Sequence, residues 1–164
     1  LLREYLLGET VALIRNGVRL RVTGRRDRLP GTLRAAIESA ETATTGGSRL
    51  ELRVAVDYSA REAILAAARG CPDDPAMTLE QFGDRVASAC HTGPVARPVD
   101  LLVRAGGERR LSDFLLWECA YAELWFTRRL WPDFRPADLA RAIRWFQTRD
   151  RRFGALPTRA AGIA

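Results

Sequence analysis

Hydrophobic residues along the chain follow two rhythms, and the alternation between them lays out the expected elements. Leu2, Leu6, Val11, Leu13 and Ile14 sit on one side of a helical period, and Asn16-Gly17 follows as a stop. That predicts an amphipathic helix over residues 1–16. Val18-Arg19-Leu20-Arg21-Val22 then alternates apolar and polar, the period of a strand with one buried face. Gly24 to Leu29 reads as a charged loop, Pro30 opens a helix to about Ala43, and Thr44-Thr45-Gly46-Gly47-Ser48 breaks it. Leu50 to Val56 alternates again and predicts a second strand. Ser59-Ala60-Arg61-Glu62 and Thr78-Leu79-Glu80-Gln81 both have the form of a capping box, opening helices to about Arg69 and Ala89. Between them Gly70 to Pro75 reads as a loop.

The second half changes character. Val99-Asp100-Leu101-Leu102-Val103 is a short apolar run between Pro98 and Gly106, which predicts a buried strand. Ser112-Asp113 stands before Phe114-Leu115-Leu116-Trp117, an N-cap signal for an apolar helix. Tyr121 to Phe126 is aromatic and predicts the last strand. Pro136 suits the first turn of a helix to about Arg149, with Leu139, Ile143 and Phe146 on its buried face. Residues 155–164 read as a loose, small-residue tail. Strands alternating with helices, without repeats, predict one α/β domain over residues 1–164, with a mainly parallel sheet flanked by helices.

The strand at Val99–Val103 runs into Gly106-Gly107, then Arg109-Arg110, then Ser112 at the expected helix start. Glycine lets the backbone come close to a ligand. Backbone N–H groups at a helix N-terminus favour anions, and arginine can grip phosphate bidentately. The combination reads as a phosphate or diphosphate site. The alternative is a tight turn whose arginines are merely solvated.

These same residues carry a resemblance. Arg104-x-Gly106-Gly107-Glu108-x-Arg110-x-Ser112-x-Phe114-Leu115-Leu116-Trp117 is similar to the signature Arg-Thr-Gly-Gly-Glu-x-Arg-x-Ser-Asn-Phe-Leu-Leu-Trp-Gln of cis-prenyltransferases, the family of undecaprenyl diphosphate synthase. Ala120 to Phe126, Leu130-Trp131-Pro132-Asp133-Phe134 and Arg151-Arg152-Phe153-Gly154 continue the match in order. Several rare residues in one order are far more specific than a lone glycine motif. The resemblance implies an undecaprenyl diphosphate synthase-like fold. It implies condensation of isopentenyl diphosphate with an allylic diphosphate to a Z-polyprenyl diphosphate, either undecaprenyl-type or short-chain. By the same resemblance Arg104, Arg110 and Ser112 would hold the diphosphate of isopentenyl diphosphate. Gly106 and Gly107 would allow close backbone approach, and Glu108 would orient an arginine or touch the metal. Glu123 would bind Mg2+, and Arg152 and Gly154 would reach a neighbouring subunit's diphosphate in a homodimer. The product would go to the membrane.

Departures from the pattern are specific. Ala105 replaces threonine, Asp113 replaces asparagine, and Asp57-Tyr58-Ser59-Ala60-Arg61 stands where undecaprenyl synthases have Asn-Tyr-Gly-Gly-Arg, which leaves product length open. The family's Asp-Gly-Asn-Arg loop, with its catalytic aspartate, has no counterpart here. Leu1 to Leu7 reads as mid-helix material, so the expectation is the C-terminal portion of a longer enzyme, with that aspartate upstream of Leu1. A non-catalytic partner subunit is the competing reading; the intact Arg104–Ser112 signature favours the enzyme.

Composition narrows the rest. All 26 basic residues are arginine, against 20 acidic ones, so lysine Schiff-base and P-loop chemistry are out. The excess of +6 favours anionic partners, but the arginines are spread along the chain and nucleic acid is not expected. One histidine, His91, excludes paired-histidine zinc sites. Cys71, Cys90 and Cys119 are widely spaced and suit a reducing cytoplasm, with Cys119 in the core and the protein cytoplasmic or peripheral to the membrane.

Overall fold

In the computed structural model, residues 1–71, 75–91, 93 and 97–149 are described. The elements run α1 (Leu2–Arg15), β1 (Val18–Thr23), α2 (Gly31–Ala43), β2 (Leu50–Ala55), α3 (Ala60–Arg69), α4 (Leu79–Ala89), β3 (Leu101–Arg104), β4 (Glu123–Phe126) and α5 (Pro136–Gln147), with a 3₁₀ turn at Trp131–Asp133. The class is α/β, and both strand pairs are parallel: β1 with β2, and β3 with β4. The chain divides into two compact units. Leu1–Arg97 with Ser112–Trp117 forms the first; Pro98–Leu111 with the chain from Glu118 onward forms the second.

In the first unit α1 and α2 pack on each other and on β1. Leu6, Leu20, Val22, Ile37 and Ala40 form the core, with Leu2, Leu13, Leu33 and Val54 against it. Of the apolar positions expected on α1, Val11 and Ile14 face outward instead. The backbone of β1 away from β2 is satisfied by side chains of α2 and its cap: Leu20 N–H donates to Thr44 Oγ1 at 3.1 Å and Val22 N–H to Glu41 Oε1 at 2.7 Å. Glu41 is in turn held by Arg26 at 2.7 Å. Side chains thus take two of the N–H groups that a further strand would take. A second cluster, Ala63, Ala67, Val86 and Cys90, joins α3 to α4, with Tyr58, Phe82 and Trp117 around it. Thr78 and Gln81 make the full expected capping box of α4. At α3 only half of it forms: Ser59 accepts from Glu62 N–H, while the Glu62 carboxylate turns to Arg25 at 3.4 Å.

Three expectations are corrected. The apolar helix after Ser112-Asp113 does not form; the segment is a chain of turns and bends, with Ser112, Asp113 and Leu115 at φ of 50°, 63° and 48°. The reason is that Asp113 spends its capping capacity on α3. The last two strands each start two residues later than the apolar patterns suggest: Val99 N–H is taken by Glu118 O at 2.9 Å, and Ala122 N–H by Cys119 O at 3.0 Å. Finally, α5 buries Asp138 and Ala142 while Leu139 and Ile143 stay 45% and 41% exposed. Asp138 can be buried because Arg135 N–H donates to it at 3.0 Å and Arg129 lies at 3.2 Å, as a buried charge requires.

Candidate functional site

The signature is divided between the two units, and each half is held differently. In the second unit, Arg104 is the last residue of β3 and half-buried. Arg104 thus sits at the carboxyl end of a parallel strand, where open α/β sheets bind ligands. The turn that follows is fixed by Gly106 and Gly107, at φ of 92° and 84°. Their N–H groups donate to Arg129 O and Thr127 O, both at 2.8 Å, so they shape the turn and are not aimed at a ligand. A Cβ on Gly106 would meet nothing within 4 Å. Glycine is demanded there by backbone conformation, and the space beside it is open. Arg110 is exposed and paired with Glu108 at 2.5 Å. Next to this turn lies a recess of about 270 Å³ lined by Gly107, Arg109, Phe126, Thr127 and Arg128.

Glu123 begins β4 opposite Leu101, whereas Arg104 lies opposite Phe126. Three residues of ladder, about 10 Å at strand rise, therefore separate the levels of Arg104 and Glu123. The Glu123 carboxylate is largely buried and accepts from Arg149 Nε at 3.2 Å. Arg149 also lies over the Trp145 ring at 5.4 Å. Among the described residues no group of three acidic, histidine or cysteine side chains could hold a metal ion. Magnesium asks for less, since it keeps several waters and binds through one or two carboxylates plus substrate phosphates. A single carboxylate at Glu123 fits that demand once Arg149 turns aside. Arg152 and Gly154 lie outside the described residues, as does the expected tail.

In the first unit Ser112 is exposed and Asp113 half-buried. Asp113 Oδ2 accepts from Ser59 Oγ at 2.6 Å, and Oδ1 accepts from Arg61 N–H at 2.8 Å. These contacts hold its carboxyl below the ordinary 3.8, the Ser59 hydrogen bond first and then the Arg61 amide and charge. The added negative charge of Asp113 is therefore spent on the start of α3. Phe114 meets Tyr58 edge-on at 5.7 Å and Trp117 tilts on Phe82 at 5.0 Å, anchoring the apolar half of the signature.

The order and spacing of these residues have close counterparts. A family model described as "Putative undecaprenyl diphosphate synthase" matches residues 1–154. The chain belongs to the undecaprenyl diphosphate synthase family. It is 55% identical over 157 residues to isoprenyl transferase 1 of Bradyrhizobium diazoefficiens, covering 95% of this chain and 62% of that protein. It is 40% identical over 154 residues to the (2E,6E)-farnesyl-diphosphate-specific ditrans,polycis-undecaprenyl-diphosphate synthase of Francisella tularensis, covering 92% and 60%. The chain thus spans about three fifths of the length of these two relatives. The solved structure of a "probable undecaprenyl diphosphate synthase" from Campylobacter jejuni superposes with a TM-score of 0.78 at 32% identity, covering 92% of this chain and 70% of that one. Lavandulyl diphosphate synthase from Lavandula x intermedia, solved with dimethylallyl diphosphate, gives 0.81 at 31%, covering 93% and 67%.

Within the family's signature one departure has a structural consequence that the charge pattern around the site does not reveal. Glu118 falls where the signature ends in glutamine. It is 6% exposed, and neither carboxylate oxygen has a hydrogen-bond partner among the described residues. The adjoining Cys119 thiol is pushed up by burial and by this charge. The three cysteines are free, with Cys90 and Cys119 buried. Among the described residues no helix is long and apolar enough to cross a membrane.

Proposed function

We propose that this chain supplies the isopentenyl-diphosphate side of a cis-prenyltransferase, which joins isopentenyl diphosphate to an allylic diphosphate and yields a linear Z-polyprenyl diphosphate. The observation that carries this reading is the signature from Arg104 to Ser112, which keeps both arginines, both glycines, Glu108 and Ser112, loses only the threonine hydroxyl at Ala105, and starts at the carboxyl end of a parallel strand. In the reaction the allylic C–O bond breaks and diphosphate departs with the bonding pair. The double bond of isopentenyl diphosphate attacks the allylic carbon, and a proton is then lost from the carbon next to the new cation. Two diphosphates must lie close together against their repulsion. Arg104 and Arg110 would neutralise and orient one of them, with guanidinium forks matched to phosphate oxygens, and the Ser112 hydroxyl would donate to a third oxygen. For Arg110 this means exchanging Glu108 for substrate; the pair is exposed and cheap to open. Glu123 would hold Mg2+, released from Arg149. Magnesium, when bound, neutralises charge that builds on the departing diphosphate.

The reading includes a two-fold homodimer through the second unit. Tyr121 and Trp131 are each 72% exposed and Leu130 59%, an apolar surface of the kind that marks interfaces. A cytoplasmic protein handing its product to a membrane, in the undecaprenyl or a short-chain class, completes the proposal.

The test incubates the full-length protein with farnesyl diphosphate and labelled isopentenyl diphosphate, with and without a chelator, and sizes the products. Chelator-sensitive elongation is expected, and Glu123→Gln should lower turnover more than it lowers thermal stability. Elongation that survives chelation, or normal turnover in Glu123→Gln, would remove the metal from Glu123. Absence of elongation from every allylic primer would overturn the enzyme reading in favour of a non-catalytic subunit.

A further inference from the structure

The first turn of α3 has an unusual set of partners. Four N–H groups at a helix start lack acceptors within the helix's own hydrogen-bond ladder. Here Ala60 N–H donates to Asp113 O at 3.1 Å and Arg61 N–H to Asp113 Oδ1 at 2.8 Å. Glu62 N–H goes to Ser59 Oγ, and Ala63 N–H begins the helix's own ladder on Ser59 O. Of the Ala60, Arg61 and Glu62 N–H groups, two are thus capped by a residue more than fifty positions away, from inside the diphosphate signature. The signature segment adopts a matching conformation: Ser112 and Asp113 are both left-handed, a region that side-chain-bearing residues rarely enter. Such a conformation persists only where surrounding contacts over-determine it, and the bonds from α3 to Asp113 are contacts of that kind.

We propose that Asp113 is a positioning residue that, by capping α3 from outside, fixes the backbone of its neighbour Ser112 and so the direction in which the signature serine offers its hydroxyl to a diphosphate. This rests on the diphosphate reading above. The chemistry of the two departures supports it. Asparagine, the signature's residue at 113, would present an amide in place of one carboxylate oxygen. Glycine, the residue of the Asn-Tyr-Gly-Gly-Arg pattern at 59, has no hydroxyl to give. In this chain Ser59 and Asp113 depart together and meet at 2.6 Å, an O–H donor on a carboxylate, among the strongest hydrogen bonds available. Two changes in separate motifs thereby form one contact. The device links the segment at the end of β2 to the diphosphate signature.

The experiment compares wild type with Asp113→Ala, Asp113→Asn and Ser59→Gly, with two readouts. Hydrogen–deuterium exchange over residues 59–64 reads the cap, independently of activity. The Michaelis constant for isopentenyl diphosphate, set against kcat, reads the position of Ser112. Asp113→Ala is expected to speed exchange at Arg61 at least tenfold and to raise that Michaelis constant at least fivefold, with a smaller change in kcat. Asp113→Asn should recover most of both, which a folding defect would not allow Ser59→Gly to mimic: that variant should shift exchange less and the Michaelis constant by about twofold. Faster exchange with an unchanged Michaelis constant would overturn the positioning role, as would unchanged exchange in Asp113→Ala. A wild-type protein that neither binds isopentenyl diphosphate nor turns it over would instead overturn the diphosphate reading, while the exchange data would still report the cap.

Discussion

β1 and β2 pair in parallel over six residues; Leu20 and Val22 of β1 are buried with residues of α1 and α2, and Thr23 is buried with its hydroxyl donating to Cys90 O at 2.8 Å. β3 and β4 pair in parallel over four, and of their residues only Leu102 is buried. In the first pair β1 is covered by helices of its own unit, while no residue of β2 is buried. The second ends in the glycine turn of the signature and shows aromatic residues at its margins. Strands of one type thus serve different ends. One pair carries the interior that makes folding favourable, and the other holds chemistry at its rim with little interior of its own. Burial decides which substitutions should unfold the protein and which should only impair it.

The largest expected effect breaks the first pair's interior. Ile37, fully buried against β1, should cost about 2–5 kcal/mol as Ile37→Ala, from lost transfer energy plus the cavity. Leu124→Ala on β4, 38% exposed in the structure, should cost under about 1 kcal/mol. Denaturant midpoints at constant slope measure both. Equal costs would mean that the second pair is covered in solution, and a concentration-dependent midpoint would then identify a second copy as the cover.

Next comes the rim of the second pair. Arg110→Ala should raise the Michaelis constant for isopentenyl diphosphate at least tenfold, since each charged hydrogen bond lost is worth roughly 1.5–3 kcal/mol. The same variant should barely move the midpoint, because Arg110 and its partner Glu108 are solvent-exposed and surface pairs are worth about 0–1 kcal/mol. An unchanged Michaelis constant would remove Arg110 from the site.

What could be read beforehand follows the same division. The first pair was legible because its helices and strands obey their periods without interference: β1, α2, β2, α3 and α4 lie within a residue or two of the expected bounds, and Thr78-Gln81 caps as its spacing implies. The order and ionic residues of the signature were legible for another reason, since they match a rare pattern residue by residue. The conformation of that signature was not. Ser112-Asp113 has the composition of a local cap, and composition does not say which helix a cap will serve; Asp113 serves α3 across the fold. On α5 the apolar period pointed to Leu139 and Ile143, but the Arg129 contact to Asp138 turned another face inward. Long-range ion pairs of this kind leave no periodic trace. Glu118 is legible only as a departure from the signature's final glutamine, since nothing in the charge pattern marks it as buried.

A smaller effect sharpens the comparison at the margin of the second unit. Glu118 is buried with both oxygens unpartnered among the described residues, and a buried carboxylate without donors opposes folding. Glu118→Gln restores the signature's residue at nearly the same volume and removes the charge. It should raise stability by roughly 1 kcal/mol, read as a higher denaturant midpoint. A lower midpoint would show that the carboxylate has a favourable partner in solution.

The smallest effect concerns the cap that ties the signature to α3, and it is set by pH. Asp113 has its carboxyl held below the ordinary 3.8 by the Ser59 hydroxyl and the Arg61 amide. A group whose folded value is depressed binds its proton less readily when folded than when unfolded. It therefore contributes stability fully above the unfolded value, and loses that contribution as pH falls through the folded one. Asp113→Asn has no such proton to bind. Above the ordinary carboxylate value, wild type should be the more stable by a margin that does not vary with pH. On titrating down from there the margin should shrink. Below the folded value it should lose its pH dependence again, because both chains then present a neutral group to Ser59 and Arg61. Denaturant midpoints at closely spaced pH values from 6 downward measure that difference directly, and the other carboxylates, common to both chains, cancel in it. A margin that stays constant over the whole range would mean that the Asp113 carboxyl titrates alike in folded and unfolded chains, and the hydrogen bonds at 2.6 and 2.8 Å would then contribute nothing specific to its charge.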